Sequence, residues 1–471
     1  MSVISTTLQI ILLIVVVLMI FNIIIFVHEL GHFLAAKWRG LRIDRFQIWF
    51  GTPIWKKEIN GVQYGLGWIP AGGFVSLPQL APMDAIEGER TTDEPLPPIS
   101  PIDKIIVAVA GPIFSLGLAL AAGLLVWNVG KPVDIIPSTT IGYIAEDSPA
   151  SKAGLQLGDR ITAVNEEPVL GFTGGLDYIT EKIVFSDGET IKFTVIREGE
   201  TAPREISSGF ITEPTKFYQR RGLRKVGISF ASQTIVGETS ENSPARIAGL
   251  QKGDVITAID GVKLWSPQQI TSHYKQKNYS AAQLTVQRGA ETLSVTLAPE
   301  IPQKAPEPKA PMLGIAWDME HAADTHLVHP SPIKQCADSV RMMVKTIGAL
   351  ISPTSNIGID QLNGPLGIGK AKFHLLDTDK DGWRRLLAFL VLINVNLAIF
   401  NMLPFPVLDG GHTTLAIMEL IARRPVKLRV LEYIQTVCVL IIFSVFLFIS
   451  FKDVGEFFGN SPDMEVIFSP K

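Results

Sequence analysis

Cysteine is nearly absent from this chain of 471 residues, which contains only Cys336 and Cys438. Neither has the paired spacing of a zinc finger, and Cys438 stands in an apolar run, so we expect no disulfide framework and no thiolate zinc site. An excess of one charge is also missing, because 42 Lys and Arg residues face 45 Asp and Glu residues. Without a basic patch interleaved with aromatic residues, nucleic acid is not an expected partner.

Polar residues are scarce in several long stretches, and 47% of all residues are hydrophobic. Such runs suit helices that cross the hydrocarbon core of a bilayer. The sequence therefore predicts a polytopic α-helical membrane protein with four transmembrane helices, surrounded by lipid. The start of the chain lacks the basic region of a signal peptide, so we expect a retained span there. The four predicted segments are 1–37, 103–130, 383–426 and 427–452. The third of these segments also includes the helix that follows the span.

The first apolar run ends in a pattern of metal ligands, Val27-His28-Glu29-Leu30-Gly31-His32. On a helix, His28 and His32 lie one turn apart on one face, so both imidazoles can bind one zinc ion. Glu29 stands beside them, where it can act as a general base. Ionisable groups in a span are costly and usually functional. The alternative is a chance occurrence of the pattern, or two histidines that cap the span.

Segment 38–102 is predicted to contain a β-hairpin. Apolar and polar residues alternate between Arg42 and Ser76, and the run closes in the glycine-rich stretch from Gly65 to Val75. At membrane depth such a hairpin would have to be buried by protein or line a cavity, and its strand edge could meet another peptide. An ordinary connecting hairpin is the alternative. Residues 83–101 are acidic and proline-rich, which is typical of a linker.

Basic residues flank two of the predicted spans and set the expected orientation. The positive-inside rule predicts that both clusters are cytoplasmic. With four spans, both termini and the large segment from Lys131 to Lys380 then lie on the opposite side, and the metal site lies toward the cytoplasmic face. The basic residues are Lys37, Arg39, Arg42, Arg45, Lys56, Lys57, Arg423, Arg424, Lys427 and Arg429.

One motif occurs twice in the segment between the second and third spans. The run from Ser148 to Val164 contains Ser-Pro-Ala, Ala-Gly-Leu-Gln and Gly-Asp, and the run from Ser243 to Ile259 repeats them in the same order. Each copy predicts a short helix closed by glycine, a Gly-Asp turn and a strand. Two copies indicate two inserted α+β domains, at 131–215 and 216–300.

The repeated motif resembles the circularly permuted PDZ domains of bacterial envelope proteases. This resemblance implies a groove that captures an extended peptide or a free C-terminus by strand addition. We expect the groove strands near Thr140–Ile144 and Thr234–Glu238. The alternative is that one or both domains serve only as spacers.

Segment 301–382 is predicted to hold a linker and an amphipathic helix. Residues 302–311 are rich in alanine, proline and lysine, which favours a stiff, extended linker. Residues 333–351 have helical apolar spacing, so this helix can lie on the membrane surface or on the core. The apolar positions are Ala337, Val340, Val344, Ile347 and Leu350. The glycine-rich stretch 357–369 is predicted to be a loop, and 453–471 a C-terminal tail.

Two further polar patterns are weaker. The run from Asp377 to Gly382 begins like a calcium-binding loop, but Ala388 stands where the bidentate glutamate should be, so calcium is not expected. Three histidines, His321, His326 and His329, lack ligand spacing and are predicted to form a solvated segment.

A catalytic zinc site needs a third protein ligand and an open position. Asp409 is the best candidate, because it follows the third span in a stretch where Pro404 and Pro406 break the helix and free backbone groups beside a cavity. On its own, the sequence here favours a turn aspartate that caps the next helix. His412 is close enough in sequence to support such a ligand.

Taken together, the HExxH pattern in a first span, the distant Leu408-Asp409-Gly410 and the PDZ-like repeats resemble the site-2 protease family of intramembrane zinc metalloproteases. The resemblance covers nearly the whole chain. It implies zinc bound by His28, His32 and Asp409, with Glu29 as the catalytic residue. The substrate-binding residues that it implies are Asn396, Asn401, Gly72, Gly73 and Phe74. Ser115 departs from the family, many of whose members carry asparagine there.

The same resemblance implies a multi-pass protein of the bacterial inner membrane with periplasmic PDZ-like domains. Expected substrates are single-span proteins, such as anti-sigma factors or signal-peptide remnants already trimmed by another protease, and the PDZ-like pair would act as a size filter. The alternative function is a non-enzymatic PDZ membrane scaffold with a structural or transport metal site. Glu29 argues against it, because a structural site does not need that glutamate.

Overall fold

A computed structural model describes residues 3–79, 99–305, 310–319, 321, 324–362, 381–423, 428–457 and 468. The chain divides into two compact units. The helical unit comprises Met1–Pro132, Leu327–Val344 and Asn363–Asp453, and the PDZ-like unit comprises Val133–His326, Lys345–Leu362 and Val454–Lys471. Several predictions fall outside the described residues: most of the acidic linker, the calcium-like run from Asp377, the glycine-rich stretch beyond 362, and the tail apart from Phe468.

The described α-helices are ten in number. In chain order they are α1 (Val3–Trp38), α2 (Pro101–Val129), α3 (Pro149–Ala153), α4 (Ile179–Val184), α5 (Pro244–Ile247), α6 (Pro267–Gln276), α7 (Pro332–Ile351), α8 (Gly382–Asn401), α9 (Asp409–Ala422) and α10 (Leu428–Phe457). A 3-10 turn covers Ile359–Gln361.

Strands are confined to a hairpin and to the PDZ-like unit. They are β1 (Arg45–Ile59), β2 (Val62–Ser76), β3 (Lys131–Ile135), β4 (Ile141–Ile144), β5 (Arg160–Val164), β6 (Glu167–Pro168), β7 (Ile191–Ile196), β8 (Arg204–Ser208), β9 (Ile211–Thr212), β10 (Arg224–Lys225), β11 (Ile228–Phe230), β12 (Val236–Thr239), β13 (Val255–Ile259), β14 (Val262–Lys263), β15 (Ala282–Arg288), β16 (Glu291–Leu297), β17 (Ile315–Trp317) and β18 (Asp324–Val328).

Among the described residues, four helical stretches are long and apolar enough to cross a membrane. They coincide with the four predicted spans and are Leu18–Trp38, Pro101–Val129, Gly382–Asn401 and Tyr433–Val454. Small residues let two of them meet closely, because a Cβ on Gly31 of α1 would lie 2.5 Å from the carbonyl oxygen of Ala110 in α2. Gly123 likewise meets Pro332, whereas Gly117 has open space beside it.

The predicted hairpin is confirmed, with β1 antiparallel to β2. Its second strand folds back, so that Arg45–Ile48 pairs with Gln63–Leu66 and also with Gly73–Ser76. Gly73–Ser76 therefore forms an outer strand whose far edge has no strand partner among the described residues. Asn22, one of the two polar residues in the first apolar run, accepts a hydrogen bond from the Trp49 indole and ties the hairpin to α1.

The buried amide of Gln47 holds the bend in β1. Its Nε2 donates to the carbonyl oxygens of Trp49, at 3.0 Å, and Gly51, at 2.9 Å. Both carbonyls lie where the regular ladder is interrupted, so the side chain replaces bonds that the strand partner does not supply.

Each half of the PDZ-like unit contains one four-stranded antiparallel sheet and a two-stranded pair that includes the strand before the Gly-Asp turn, and the first half also contains the short pair β9-β10. The sheets have the orders β6-β5-β7-β8 and β14-β13-β15-β16, and the pairs are β4-β11 and β12-β17. Strand β11 lies after the predicted limit of 215 and β17 after that of 300, so each pair joins strands from the two sides of a predicted limit. The limits themselves stay predictions.

The predicted groove strands are wrong, because each of them already has backbone partners on both sides. Ile141 at the start of β4 exchanges two backbone hydrogen bonds with the Gly158–Asp159 turn on one side, and β4 pairs with β11 on the other. Val236 in β12 does the same with Gly253–Asp254 and β17. Among the described residues, the strands of these two pairs that keep an edge without a strand partner are therefore β11 and β17.

The Gly-Asp turn of each repeat contains a buried ion pair. Asp159 and Asp254 are almost completely buried, and each accepts hydrogen bonds from an arginine, Arg197 at 2.9 Å and Arg288 at 2.7 Å. Each arginine also donates to the carbonyl of the glycine that ends the short helix. The repeated motif thus fixes one helix end and one strand start together.

Helix α7 confirms the predicted helix at 333–351, and the face that it buries is not its apolar stripe. Gln335, Cys336, Ser339 and Met343 are buried, and the Gln335 amide donates to the Gly123 carbonyl at 3.0 Å. The predicted apolar stripe is partly exposed instead, including Val340 at 41% and Val344 at 63%.

Candidate metal centre

The two histidines of the first span lie side by side on α1 with their side chains buried. Nδ1 of His32 lies 2.8 Å from the carbonyl oxygen of Val107 in α2, which can only accept, so this nitrogen carries the proton. Nδ1 of His28 lies 2.9 Å from the hydroxyl of Ser115. Both rings are therefore held through Nδ1, and both Nε2 atoms point toward the same place.

Asp409 is the first residue of α9 and lies far from the two histidines in the sequence. Two glycines allow the tight turn before it, because a Cβ on Gly410 would lie 2.2 Å from the Met402 carbonyl oxygen and a Cβ on Gly411 2.0 Å from that of Phe405. The N-cap of α9 is Leu408, without a side-chain cap. Asp409 is thus not the capping residue that the sequence alone also allowed.

The three donor atoms are almost equally spaced. Asp409 Oδ2 lies 3.2 Å from His28 Nε2 and 3.4 Å from His32 Nε2, and the two nitrogens are 3.3 Å apart. A tetrahedral zinc with ligands at about 2.0–2.1 Å has neighbouring ligand atoms about 3.3–3.4 Å apart. Oδ2 is buried and has no hydrogen-bond partner among the described residues. The site therefore fits zinc.

The group has three members in the part of the chain that the structure describes. Among the described residues, His28, His32 and Asp409 are the His, Cys, Asp or Glu side chains whose ligand atoms lie within 4.8 Å of one another. Three protein ligands leave one tetrahedral position open, which is the arrangement of catalytic rather than structural zinc sites. The histidines at 321, 326 and 329 do not form such a group; His321 and His326 lie beside aspartates and His329 contacts the Trp127 carbonyl.

A cavity of about 390 Å³ surrounds the three ligands. Glu29 lines it, and so do Gly72, Gly73, Phe74 and Asn401 from the predicted substrate-binding set. The Glu29 carboxyl lies against the backbone of Val75 in the outer strand of the hairpin. His412 also lines the cavity, one turn after Asp409.

The two predicted asparagines differ in position. Asn401 Nδ2 lies 3.1 Å from His28 Nε2 at the cavity wall. Asn396 is not among the described residues that line the cavity, and its half-buried side chain has an Oδ1 atom without a partner in the described part of the chain. Asn401 follows Asn396 by five residues, which turns its side chain to a different face of α8.

Sequence reasoning missed Val107 and Gly111, both on α2. The His32 ring lies directly over Gly111, where a Cβ would be 2.2 Å from Nε2. The pair Gly111-Pro112 inside the second span indicates close packing, but the sequence does not show which residue packs against the glycine.

Similar proteins carry names that agree with this geometry. "Regulator of sigma-E protease RseP" of Escherichia coli K12 is 29% identical over 441 residues, covering 88% of this chain and 91% of that protein. A protein of Neisseria meningitidis serogroup A, provisionally named a zinc metalloprotease, is 28% identical over 428 residues, covering 87% and 92%.

A solved PDZ domain of the SdrC-like protein from Listeria monocytogenes is 18% identical, covers 20% of this chain and 95% of its own, and has a TM-score of 0.17. At that score, the PDZ-like description rests on the strand order and the repeated motif. The profile of "Peptidase family M50" matches residues 16–445. With that match over most of its length, the chain belongs to peptidase family M50, the site-2 protease family.

Proposed function

We propose that this chain is an intramembrane zinc metalloprotease that hydrolyses peptide bonds within or beside the membrane span of single-span proteins. The observation that carries the proposal is one cavity that holds three zinc-spaced donor atoms, an open fourth position and Glu29. Zinc, when bound, supplies a Lewis acid that lowers the pKa of water toward neutrality.

Glu29 is the proton carrier in this mechanism. Its carboxylate takes a proton from the attacking water and returns it to the leaving amine, which are the two transfers that amide hydrolysis requires. Ser115 and Val107 keep the two histidine rings in the orientation that presents Nε2, so the ligands need not reorganise during turnover.

The hairpin supplies the means to hold an extended substrate. A helical substrate hides its carbonyl groups in its own hydrogen bonds, so it must unwind before attack. Gly73–Ser76 offers a strand edge that lines the same cavity as Glu29, and pairing with it replaces the hydrogen bonds lost on unwinding. Asn401 adds an amide that lines the same cavity.

The function is tested by cleavage of a single-span substrate in membranes, comparing the unaltered protein with Glu29→Gln and with chelated protein. We expect loss of cleavage in both, about 10²–10⁴-fold for Glu29→Gln, while that variant keeps its zinc. Glu189→Gln, the same change at an exposed glutamate of the PDZ-like unit, is the matched control. Cleavage that persists in Glu29→Gln would contradict the proposal and favour the PDZ scaffold with a non-catalytic metal.

We further propose that the protein resides in the bacterial inner membrane with both termini and the PDZ-like unit in the periplasm. The basic residues after the first span and before the fourth support this orientation. Anti-sigma factors and signal-peptide remnants, after trimming, are the proposed substrates. Free peptide ends at the outer strands β11 and β17 are proposed PDZ ligands.

A further inference from the structure

A side chain from another part of the sequence, that of Phe468, lies against the second PDZ-like domain. Phe468, which follows the last helix, is only 4% exposed. A Cβ placed on Gly314 would lie 2.8 Å from the Phe468 ring edge. Gly314 has a positive φ of 74° and directly precedes β17, the outer strand of the domain. The ring therefore sits at the end of the strand to which a peptide would add.

The first domain provides an internal comparison. Gly227 has a φ of 87°, directly precedes β11, and lies over Ser148 as Gly314 lies over Ser243. The three atoms nearest to a Cβ on Gly227 all belong to that domain, from Ser148 and Ala145. The two loops thus match in conformation and differ in the aromatic ring that covers the second.

The residues on either side of Gly314 in the sequence belong to an apolar core. Leu313 is buried in the same core as Ile270 and Tyr274 of α6, and Ile315 and Trp317 of β17 pack against that core. PDZ-type grooves bind a peptide through main-chain pairing to the outer strand and place an apolar side chain in a pocket beside the helix. A phenylalanine is large and apolar enough for that pocket.

Membrane topology permits this contact. Two candidate spans, Gly382–Asn401 and Tyr433–Val454, lie between the second domain and Phe468. An even number of crossings returns the chain to the side from which it came, so Phe468 and the second domain lie on the same side of the membrane.

We propose that the groove of the second PDZ-like domain is occupied by the chain's own segment around Phe468. An external ligand must then be an extended peptide with a large apolar side chain, and it must displace Phe468 to bind. The tethered segment acts at an effective concentration on the order of millimolar, so weak ligands are excluded while the first domain stays open to them.

Site-specific photo-crosslinking tests the contact in the full chain. Benzoylphenylalanine at position 468, in membranes, is expected to form an intramolecular link to the Leu313–Trp317 segment or to Ser243, identified by mass spectrometry. The same probe at Phe217, which is 81% exposed, is the matched control and should not form that link. Absence of a link from position 468 to the second domain would overturn the proposal.

Peptide binding tests the displacement. The probe is a fluorescent peptide with the sequence of residues 459–471, titrated into the detergent-solubilised full chain. Phe468→Ala protein is expected to bind it about tenfold or more tightly than unaltered protein, because the tethered competitor is removed. Phe217→Ala should bind like the unaltered protein, and a peptide lacking the phenylalanine should bind to neither. Equal affinity for unaltered and Phe468→Ala protein would overturn the proposal.

Discussion

The His32 ring can lie over Gly111 only because glycine has no side chain. Any larger side chain would meet Nε2 of that ring at 2.2 Å, and both α1 and α2 are packed too closely to move apart freely. We expect Gly111→Ala to weaken zinc binding by about 10–100-fold, the range found when groups around a metal ligand are altered. Competition with a fluorescent chelator measures the affinity.

Gly117 offers the control for this change. It lies on the same helix with open space around it, so Gly117→Ala should retain zinc at full affinity. Equal zinc affinity in both variants would show that the ring does not depend on Gly111.

Ser115 is predicted to matter for the orientation of His28 rather than for substrate contact. Its hydroxyl is fully buried and 2.9 Å from Nδ1. Ser115→Ala should lower zinc affinity by about tenfold and lower cleavage in proportion, with the loss of cleavage reversed by excess zinc. If added zinc restores nothing, the hydroxyl has another role.

The individual ligands differed in how far the sequence could predict them. His28, Glu29 and His32 follow from helical spacing alone, because one turn of α1 places both rings on one face. Asp409 came from resemblance, since nothing local distinguishes it from a capping aspartate. Ser115, Val107 and Gly111 act across the contact of two helices, and no spacing within one helix reveals such a partner.

At the scale of elements, the ion pair of the second repeat, between Arg288 and Asp254, is predicted to stabilise the second PDZ-like domain. Arg288 beside Asp254 holds the pKa of that carboxyl below its usual range. Arg288→Met should lower hydrogen-exchange protection of the β15 amides by a factor of about ten, allowing for the partial exposure of the arginine.

The pH dependence of this effect has a definite sign. A lowered carboxyl pKa contributes stability that is fully present above about pH 4 and is lost as the pH falls through the folded-state pKa. The difference in protection between unaltered protein and Arg288→Met should therefore shrink below pH 4. A difference that stays constant down to pH 2 would mean that the ion pair does not cause the stabilisation.

Helices and the hairpin were predictable as elements, while strand partners were not. Apolar length defines a span and alternating polarity defines a hairpin, since both signals are local. The pairing of β4 with β11 and of β12 with β17 joins strands from opposite ends of each domain. Such distant pairing leaves no signal in the local sequence of either strand.

On the scale of the whole molecule, the paired strands β3 and β18 flank the two PDZ-like domains. The end of β3 lies beside the start of β18, where the Thr325 hydroxyl donates to the Asp134 carboxylate at 3.0 Å. Residues 137–322 can therefore be replaced by a short glycine-serine linker without stretching the chain. If the domains filter substrates by size, this variant should cleave an untrimmed single-span substrate that the unaltered protein rejects. Cleavage in membranes measures it, with a trimmed substrate as the control; unchanged rejection would rule out the filter.

The third ligand lies close to the end of the chain, whereas the two histidines lie near its start. A ribosome adds about 5–20 residues per second, so on the order of tens of seconds pass between the synthesis of His32 and that of Asp409. During that time the nascent chain holds only two of the three candidate zinc ligands. The order of the residues along the chain therefore delays assembly of the complete ligand group until Asp409 has been synthesised.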